Sequence, residues 1–420
     1  MIKINGEFGK IKLDHLAWLV TTILFTSFFM LMKENYGRYI YTGLSLIMIL
    51  LSVIKNEKKL YFRLSSFAKM SFIYICFLIC SVMWAWNPSY AWITARTTIM
   101  SCFYAYSVYM YYKDEDDIHS LFDAIVIAAV IVSIHTIRLF GFSQLVYRTM
   151  SGYRLINDVF INVNVISMLC AFALLVLFYR FMMKKNFLWI IPAVPLIIVW
   201  AAAGSRKGMV IILLGVLLYF VNLSKDAEKI ISNMIFIMAV FIFILIICVN
   251  IPFFSGYFER FIEFIESMLG FRQKDASAVI RGGMIDIGFE QFLKTPVLGI
   301  GGGNSVLVSA KQNGIEVYLH NNYIDQLVNI GMAGTCVYYC YYIIPFRRLY
   351  ENRTDTTSRL CFSFLLVTLI LDYGMVSSTS RETFFYLMIF HLQNEILRRK
   401  DRKKEVQNNC LYGKDIKYAE

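Results

Sequence analysis

One histidine and a handful of arginines are the side chains on this chain best suited to chemistry. His320 opens the string LHNNYIDQLVNIGMAG (319–334), at the mouth of an apolar run long enough to cross a membrane. Histidine has the unperturbed pKa nearest neutrality, so it can accept a proton at working pH. At a helix start the positive end of the macrodipole disfavours imidazolium, which suits a base. Asn321 and Asn322 follow it, and Gly331 and Gly334 lie further along the run. The same string also fits an ordinary interfacial histidine with two small packing residues. The arginines are Arg206 in GSRKG, Arg281 in VIRGGM, Arg154 in YRLIND and Arg381 before the last apolar run. A guanidinium fork matches phosphate oxygens two at a time and keeps its charge at any working pH.

The elements that must position these groups are membrane helices. Of 420 residues, 58% are hydrophobic and 17% charged, and the apolar residues come in runs near the roughly 20 residues a spanning helix needs. Twelve candidate spans emerge: 16–32, 38–54, 67–86, 92–112, 118–140, 160–180, 187–203, 208–223, 230–250, 323–346, 360–377 and 383–397. The expected fold class is an all-α polytopic membrane protein. The first run has no clear small-residue cleavage site and is expected to stay as the first helix. An even number of spans puts both ends on one side. Most of the 41 Lys and Arg, including KNEKK (55–59), RFMMKK (180–185) and RRKDRKK (398–404), then fall on that side, which the positive-inside rule makes cytoplasmic. The net charge of +12 is mostly this asymmetry, and no nucleic-acid motif accompanies it.

The chain reads as one membrane domain, 1–420, with a long extracytoplasmic loop at 251–322 between spans nine and ten and a basic cytoplasmic tail at 398–420. The loop holds two helical patterns. In 253–270, Phe254, Tyr257, Phe258, Phe261, Ile265 and Met268 share a face opposite Glu259, Glu263 and Glu266, as in a helix lying in the interface. A second run extends from about Ala278 to Lys294. The turn TPVLGIGGGN (295–304) follows, and it is neither a phosphate-binding P-loop nor a dinucleotide fingerprint. Eight of nine cysteines lie in predicted spans and Cys410 in the tail, none with a histidine or acidic cluster; buried packing is the expected role, not metal or disulfide.

This topology brings Arg154, Asn164, Arg206, Arg281, His320 and Arg381 to one depth on the extracytoplasmic side. An arginine at mid-bilayer costs about 2.5–3.5 kcal/mol on insertion scales. At the interface Arg206 is either a snorkelling anchor or an anion clamp. Asp325 lies just over a turn beyond His320 and either orients a partner or answers an arginine. His135 and Arg138 sit near the outer end of span five, while His15, His119 and His391 fall to the cytoplasmic side as structural residues.

In these motifs the chain resembles the superfamily of O-antigen ligases and Wzy-type O-antigen polymerases. The family pattern of histidine, amide or serine, nine residues, glycine, two residues and glycine is met by His320, Asn321, Gly331 and Gly334. Its arginine, helix and proline-led glycine turn are met by Arg281, Pro296, Gly299 and Gly301. Ser205-Arg206 matches its Ser-Arg pair, and Arg154 with Asn162 and Asn164 its arginine and asparagine pair. Met284 departs from an aromatic often found after the loop arginine. The motifs cover roughly residues 150–340.

The resemblance implies a glycosyltransferase-C-like fold in the bacterial cytoplasmic (inner) membrane and an inverting, metal-independent transferase without a cofactor. The donor would be an undecaprenyl-diphosphate-linked glycan and the acceptor another glycan, with a chain-length regulator as a conceivable further partner besides membrane lipids. His320, Arg281 and Arg206 would be catalytic. Asn321, Asn322, Arg154, Asn164, Arg381 and Asp325 would bind substrate, Asn321 by fixing the imidazole unless it caps the helix. Gly299, Gly301, Gly331 and Gly334 would be structural. Repeat-unit polymerisation is the preferred activity, because the Lys-, Ile-, Phe- and Tyr-rich composition suits a low-GC genome and many such bacteria lack lipopolysaccharide. Ligation of finished glycan to lipopolysaccharide core or another acceptor is the alternative. A lipid-linked oligosaccharide transporter fits less well: the candidate site is not near midplane, and the long loop breaks any six-plus-six symmetry.

Overall fold

The structure is a computed structural model and describes residues 7–56, 65–151, 162–224, 226–251, 254, 262, 266 and 276–415. Those residues form α-helices, with no strand among them. In chain order they are α1 (Glu7–Met30), α2 (Gly37–Lys55), α3 (Ser66–Ser81), α4 (Pro88–Tyr112), α5 (His119–Phe140), α6 (Phe142–Met150), α7 (Val163–Lys184) and α8 (Ala193–Ala203). Then come α9 (Arg206–Val221), α10 (Ala227–Asn250), α11 (Ala276–Lys294), α12 (Ser305–Asn313), α13 (Asn322–Glu351), α14 (Thr356–Leu371) and α15 (Arg381–Asp415). A helix lies over each of the twelve predicted runs. Five are long and apolar enough to cross a membrane by length and composition: α1 from Lys12, α2, α5, α7 and α13; α3, α14 and the stretch Phe187–Ala203 are shorter apolar helices. The expected interfacial helix at 253–270 lies largely outside the described residues, whereas the run to Lys294 is α11.

Several boundaries move for local reasons. The predicted run 187–203 is a 3-10 turn, Phe187–Ile190, followed by α8. Pro192 lies between them, and a proline ring cannot continue the bond ladder. The run 67–86 ends at Ser81, because the residues after it leave the helix to grip the glycine turn described below. Asn87 caps α4, accepting from the Ser89 N–H at 3.0 Å, and Pro88 takes the first helical position. The run 360–377 ends at Leu371, where Asp372 becomes the C-cap. At its other end Asp355 caps α14 through the Ser358 N–H at 2.9 Å. Beyond the predicted 383–397, α15 continues as helix through the basic tail to Asp415.

The ends of the bundle differ in chemistry. At one end α2, α4, α5 and α7 finish or start among ion pairs, with Lys55 on Glu115 and Arg180 on Asp123 at 2.7 Å, and Lys403 within α15 lies near Asp116. The other end is built around a discontinuity in α13. Gly331 adopts φ 62°, ψ −171°, so the helix stops and restarts there. The turn after α11 docks into the break by its backbone alone. Met332 N–H donates to the Pro296 carbonyl at 2.8 Å, Ala333 N–H to Val297 at 3.1 Å, and Ile300 N–H to the Val328 carbonyl at 2.9 Å. Each of these groups, left buried and unmet, would cost about 1–3 kcal/mol. Broken backbone inside a bundle persists only when such partners are supplied.

The approach leaves no room for side chains. A Cβ on Gly331 would lie 2.3 Å from the Val297 carbonyl oxygen, and one on Gly299 (φ 67°) would lie 2.6 Å from the Asn329 carbonyl. Gly301 is equally close to Ala85, and Gly334 backs onto Phe77. From the opposite side the 82–87 segment grips the same turn. Trp86 N–H donates to the Ile300 carbonyl at 2.9 Å, the Trp84 indole to Leu298 at 3.0 Å, and Asn87 N–H to the Asn304 side chain at 2.7 Å.

Replacing Gly331 with alanine should therefore lower the thermal unfolding midpoint by several degrees and cost well over 1 kcal/mol, since it adds a clash to an unfavourable φ. Gly282→Ala in α11, which meets nothing within 4 Å, should be neutral or slightly stabilising. Equal behaviour of the two variants in a melting assay would contradict the docked break.

Candidate active site

His320 stands two residues before α13, in the segment that returns from α12. It is half-buried, with φ 59°, a left-handed conformation that residues other than glycine rarely hold. Such a backbone costs of order 1–3 kcal/mol and persists where its surroundings over-determine it. Those surroundings are visible on both flanks. Before it, Leu319 is fully buried with Met284, Ile300, Val308 and Val328 in a small core that joins α11, the glycine turn, α12 and α13. After it, Asn321 is the N-cap of α13, its side chain accepting from the Ile324 N–H at 3.1 Å. Of the two roles open to Asn321, the structure has it capping the helix. The imidazole itself lies against the Tyr318 ring, centroids 4.4 Å apart.

Asp325 secures the same corner. Its carboxylate accepts from Ser305 Oγ at 2.7 Å and Asn329 Nδ2 at 2.8 Å, and the Leu319 backbone N–H also donates to it. Asn329 returns the tie by accepting from the Ser305 N–H at 2.7 Å. Asp325 is thus bound to the residue beside His320 and to the start of α12. Asn322 is fully buried, and its amide is occupied within the protein. It donates to Asp372 at 3.0 Å and Tyr339 at 3.1 Å, and accepts from the N–H groups of Ser377 and Ser378 at 3.1 and 3.0 Å. Gln326 adds a bond to Ser378 at 2.6 Å. The first turn of α13 is fastened in this way to the segment between α14 and α15.

Two cations act electrostatically on the imidazole. Burial holds the His320 pKa below its ordinary 6.5, and the charges of Arg281 and then Lys207 push in the same direction. Arg281 is an exposed residue of α11, and Lys207 is the second residue of α9. Sequence reasoning chose Arg206 and passed over Lys207. The two are adjacent, so they lie about 100° apart around the helix axis, and the charge of Lys207 acts on the histidine. Lys207 also acts on the buried carboxyl of Glu382, as does Arg381, the first residue of α15. Sequence reasoning missed Glu382 as well. Glu382 could have been noticed as an acid at the head of an apolar run, and Asp372 as an acid inside one.

Asn164 has a supporting position. It accepts from Ser205 Oγ at 2.9 Å, which ties the start of α7 to the residue before Arg206 and Lys207. Arg154 lies outside the described residues. His391 bonds Ser66 and the Tyr341 carbonyl, and His119 meets the Tyr179 hydroxyl, within the bundle. No group of three or more His, Cys, Asp or Glu side chains that could hold a metal ion occurs among the described residues.

An imidazole whose protonation is disfavoured by burial and by two positive charges can take a proton from a hydroxyl, while the cations meet an anion. Its titration by histidine-selective NMR should fall below 6.5. Lys207→Gln or Arg281→Gln should raise the midpoint, because each removes a positive charge that opposes protonation. If neither variant moves it, the three groups do not converge.

Residues 191–339 match the Wzy_C family, described as O-Antigen ligase. No curated protein matches the chain. The matched stretch contains Lys207, Arg281, the 296–301 turn, His320 and Gly331. The match covers residues 191–339 of the 420 and supports the resemblance to the O-antigen ligase/Wzy superfamily.

Proposed function

We propose that the protein is a glycosyltransferase of the bacterial cytoplasmic membrane that polymerises undecaprenyl-diphosphate-linked repeat units of a cell-surface polysaccharide, working on the extracytoplasmic side with both termini in the cytoplasm. The observation that carries this reading is the half-buried His320, whose pKa is held below its ordinary value by burial and by the charges of Arg281 and Lys207. The family supports ligase- or polymerase-type glycan transfer in general.

In this reading an acceptor sugar hydroxyl attacks the anomeric carbon of the donor from the face opposite the diphosphate. The new C–O bond forms as the bond to the phosphate oxygen breaks, with inversion. The hydroxyl proton passes to His320, a transfer typically worth about 10²–10⁴-fold. Undecaprenyl diphosphate leaves with the bonding pair, and Arg281 and Lys207, with Arg206 beside them, meet its growing charge. The leaving group is already activated, so neither a nucleotide nor a metal ion is required. Asn321, Asn322, Asp325 and Asn164 act by holding the histidine and the head of α9 in place.

The ligase reading has one specific observation in its favour, the description of the matched family. Deleting the gene distinguishes the two. Single repeat units on lipid are expected for a polymerase, and full-length chains held on undecaprenyl diphosphate mean a ligase.

His320→Ala should reduce transfer by at least 10²-fold with normal membrane insertion; full activity would rule out a base at that position. Arg281→Lys should lose most of the rate, since one ammonium cannot reproduce a two-pronged contact with a diphosphate. A silent change argues against the clamp. Chelators should leave transfer unchanged, and inhibition reversed by a divalent ion would contradict metal independence.

A further inference from the structure

A second concave site lies at the same end of the bundle, away from His320. It is a cavity of about 350 Å³ between α11, α12 and the 82–87 segment, within the size range of small-molecule sites. Its walls carry Trp86, Glu290, Gln291, Lys294, Lys311 and Gln312. We propose that this groove is a saccharide subsite that holds a pyranose unit of the glycan at a distance from the reacting carbon. The inference rests on the proposed glycan transfer and adds where the sugar chain is held.

The chemistry of the walls favours a sugar over a lipid tail or a bare anion. A pyranose presents C–H bonds on its faces and hydroxyls around its rim. Trp86 offers a flat ring, 49% exposed, whose face is electron-rich and attracts C–H groups. The rim faces one carboxylate acceptor, two amides that both donate and accept, and two ammonium donors, a set suited to hydroxyls that themselves donate and accept. Gln291 is 7% exposed, so part of this polar wall is set into the protein and not merely spread on its surface.

The groove is rigidly tied to the active site. Trp86 is fixed through its backbone N–H to Ile300, in the turn that docks on Gly331. Ile287 and Val308, which also line the cavity, pack in or against the small core that buries Leu319. Arg281 and Glu290 lie on one helix, about 13 Å apart along its axis at 1.5 Å per residue. Nine residues also turn about 180° around the helix, so an oligosaccharide with one end at the diphosphate clamp and a later unit in the groove passes over α11.

The test uses the full-length protein in lipid nanodiscs and, as probe, lipid-free repeat-unit oligosaccharide released by mild acid from the host's lipid-linked pool. Trp86→Ala, Glu290→Gln and Lys311→Gln should each weaken binding at least tenfold. Trp86→Phe should stay near wild type, since it keeps a ring and the backbone bond to Ile300. Undecaprenyl diphosphate without sugar should not displace the oligosaccharide. Wild-type affinity in all three groove variants, displacement by undecaprenyl diphosphate, or no binding to the wild-type protein overturns the subsite. Binding that follows the groove variants in a protein without transfer activity supports the subsite and removes the proposed reaction, so the two failures are distinguishable.

Discussion

The arrangement depends on a backbone-to-backbone contact between two segments far apart in the usual sense of a motif. α13 is broken at Gly331, and the 296–300 turn supplies the partners that the broken ladder lacks. Neither half is stable as drawn without the other. A helix with unmet N–H groups inside a bundle is costly, and a glycine-rich turn without a dock would have no reason to hold a single conformation. The contact has no side chain at its centre, which is why both partners are glycines. It is also a three-way joint, because the 82–87 segment grips the turn from its far side.

From that joint the candidate site follows by short steps. The turn leads into α12, whose first residue is bound by Asp325 and Asn329 of α13. α12 leads to Leu319, whose side chain is buried in the core beneath the joint. His320 is the next residue, in a strained conformation bracketed by that anchor and by the Asn321 cap. On the other side, Asn164 and Ser205 set the head of α9, from which the charge of Lys207 acts on the imidazole. Most polar residues at this end therefore hold the geometry.

The sequence made the fold legible through its apolar runs, because a membrane helix announces itself by length and composition alone. It failed at run ends such as 360–377, where hydropathy averaged over the cap Asp372, and at 187–203, where it averaged over Pro192. At the candidate site, residue type and spacing single out His320 and Arg281, and the charge of Arg281 acts on the imidazole. They do not single out Lys207, since adjacent cations in GSRKG look alike until the helix phase is known. Asn322 and Asp325 were taken for substrate contacts because polar side chains beside a histidine look available. Only the packing reveals that one is fully buried and both are bonded internally. The glycines at 331 and 334 were read as close helix packing, and the left-handed φ at Gly331 that makes the break has no signature beyond the residue type.

The central claim is that His320, Arg281 and Lys207 surround one diphosphate-sized site. An electron cryo-microscopy map of the full-length protein in nanodiscs with undecaprenyl diphosphate addresses it directly. Diphosphate density within reach of Arg281 and Lys207, with the His320 imidazole beside it, is the expected result. Density held elsewhere, for instance against Arg148 in the cavity lined by α6, or the three side chains facing separate spaces, would contradict it.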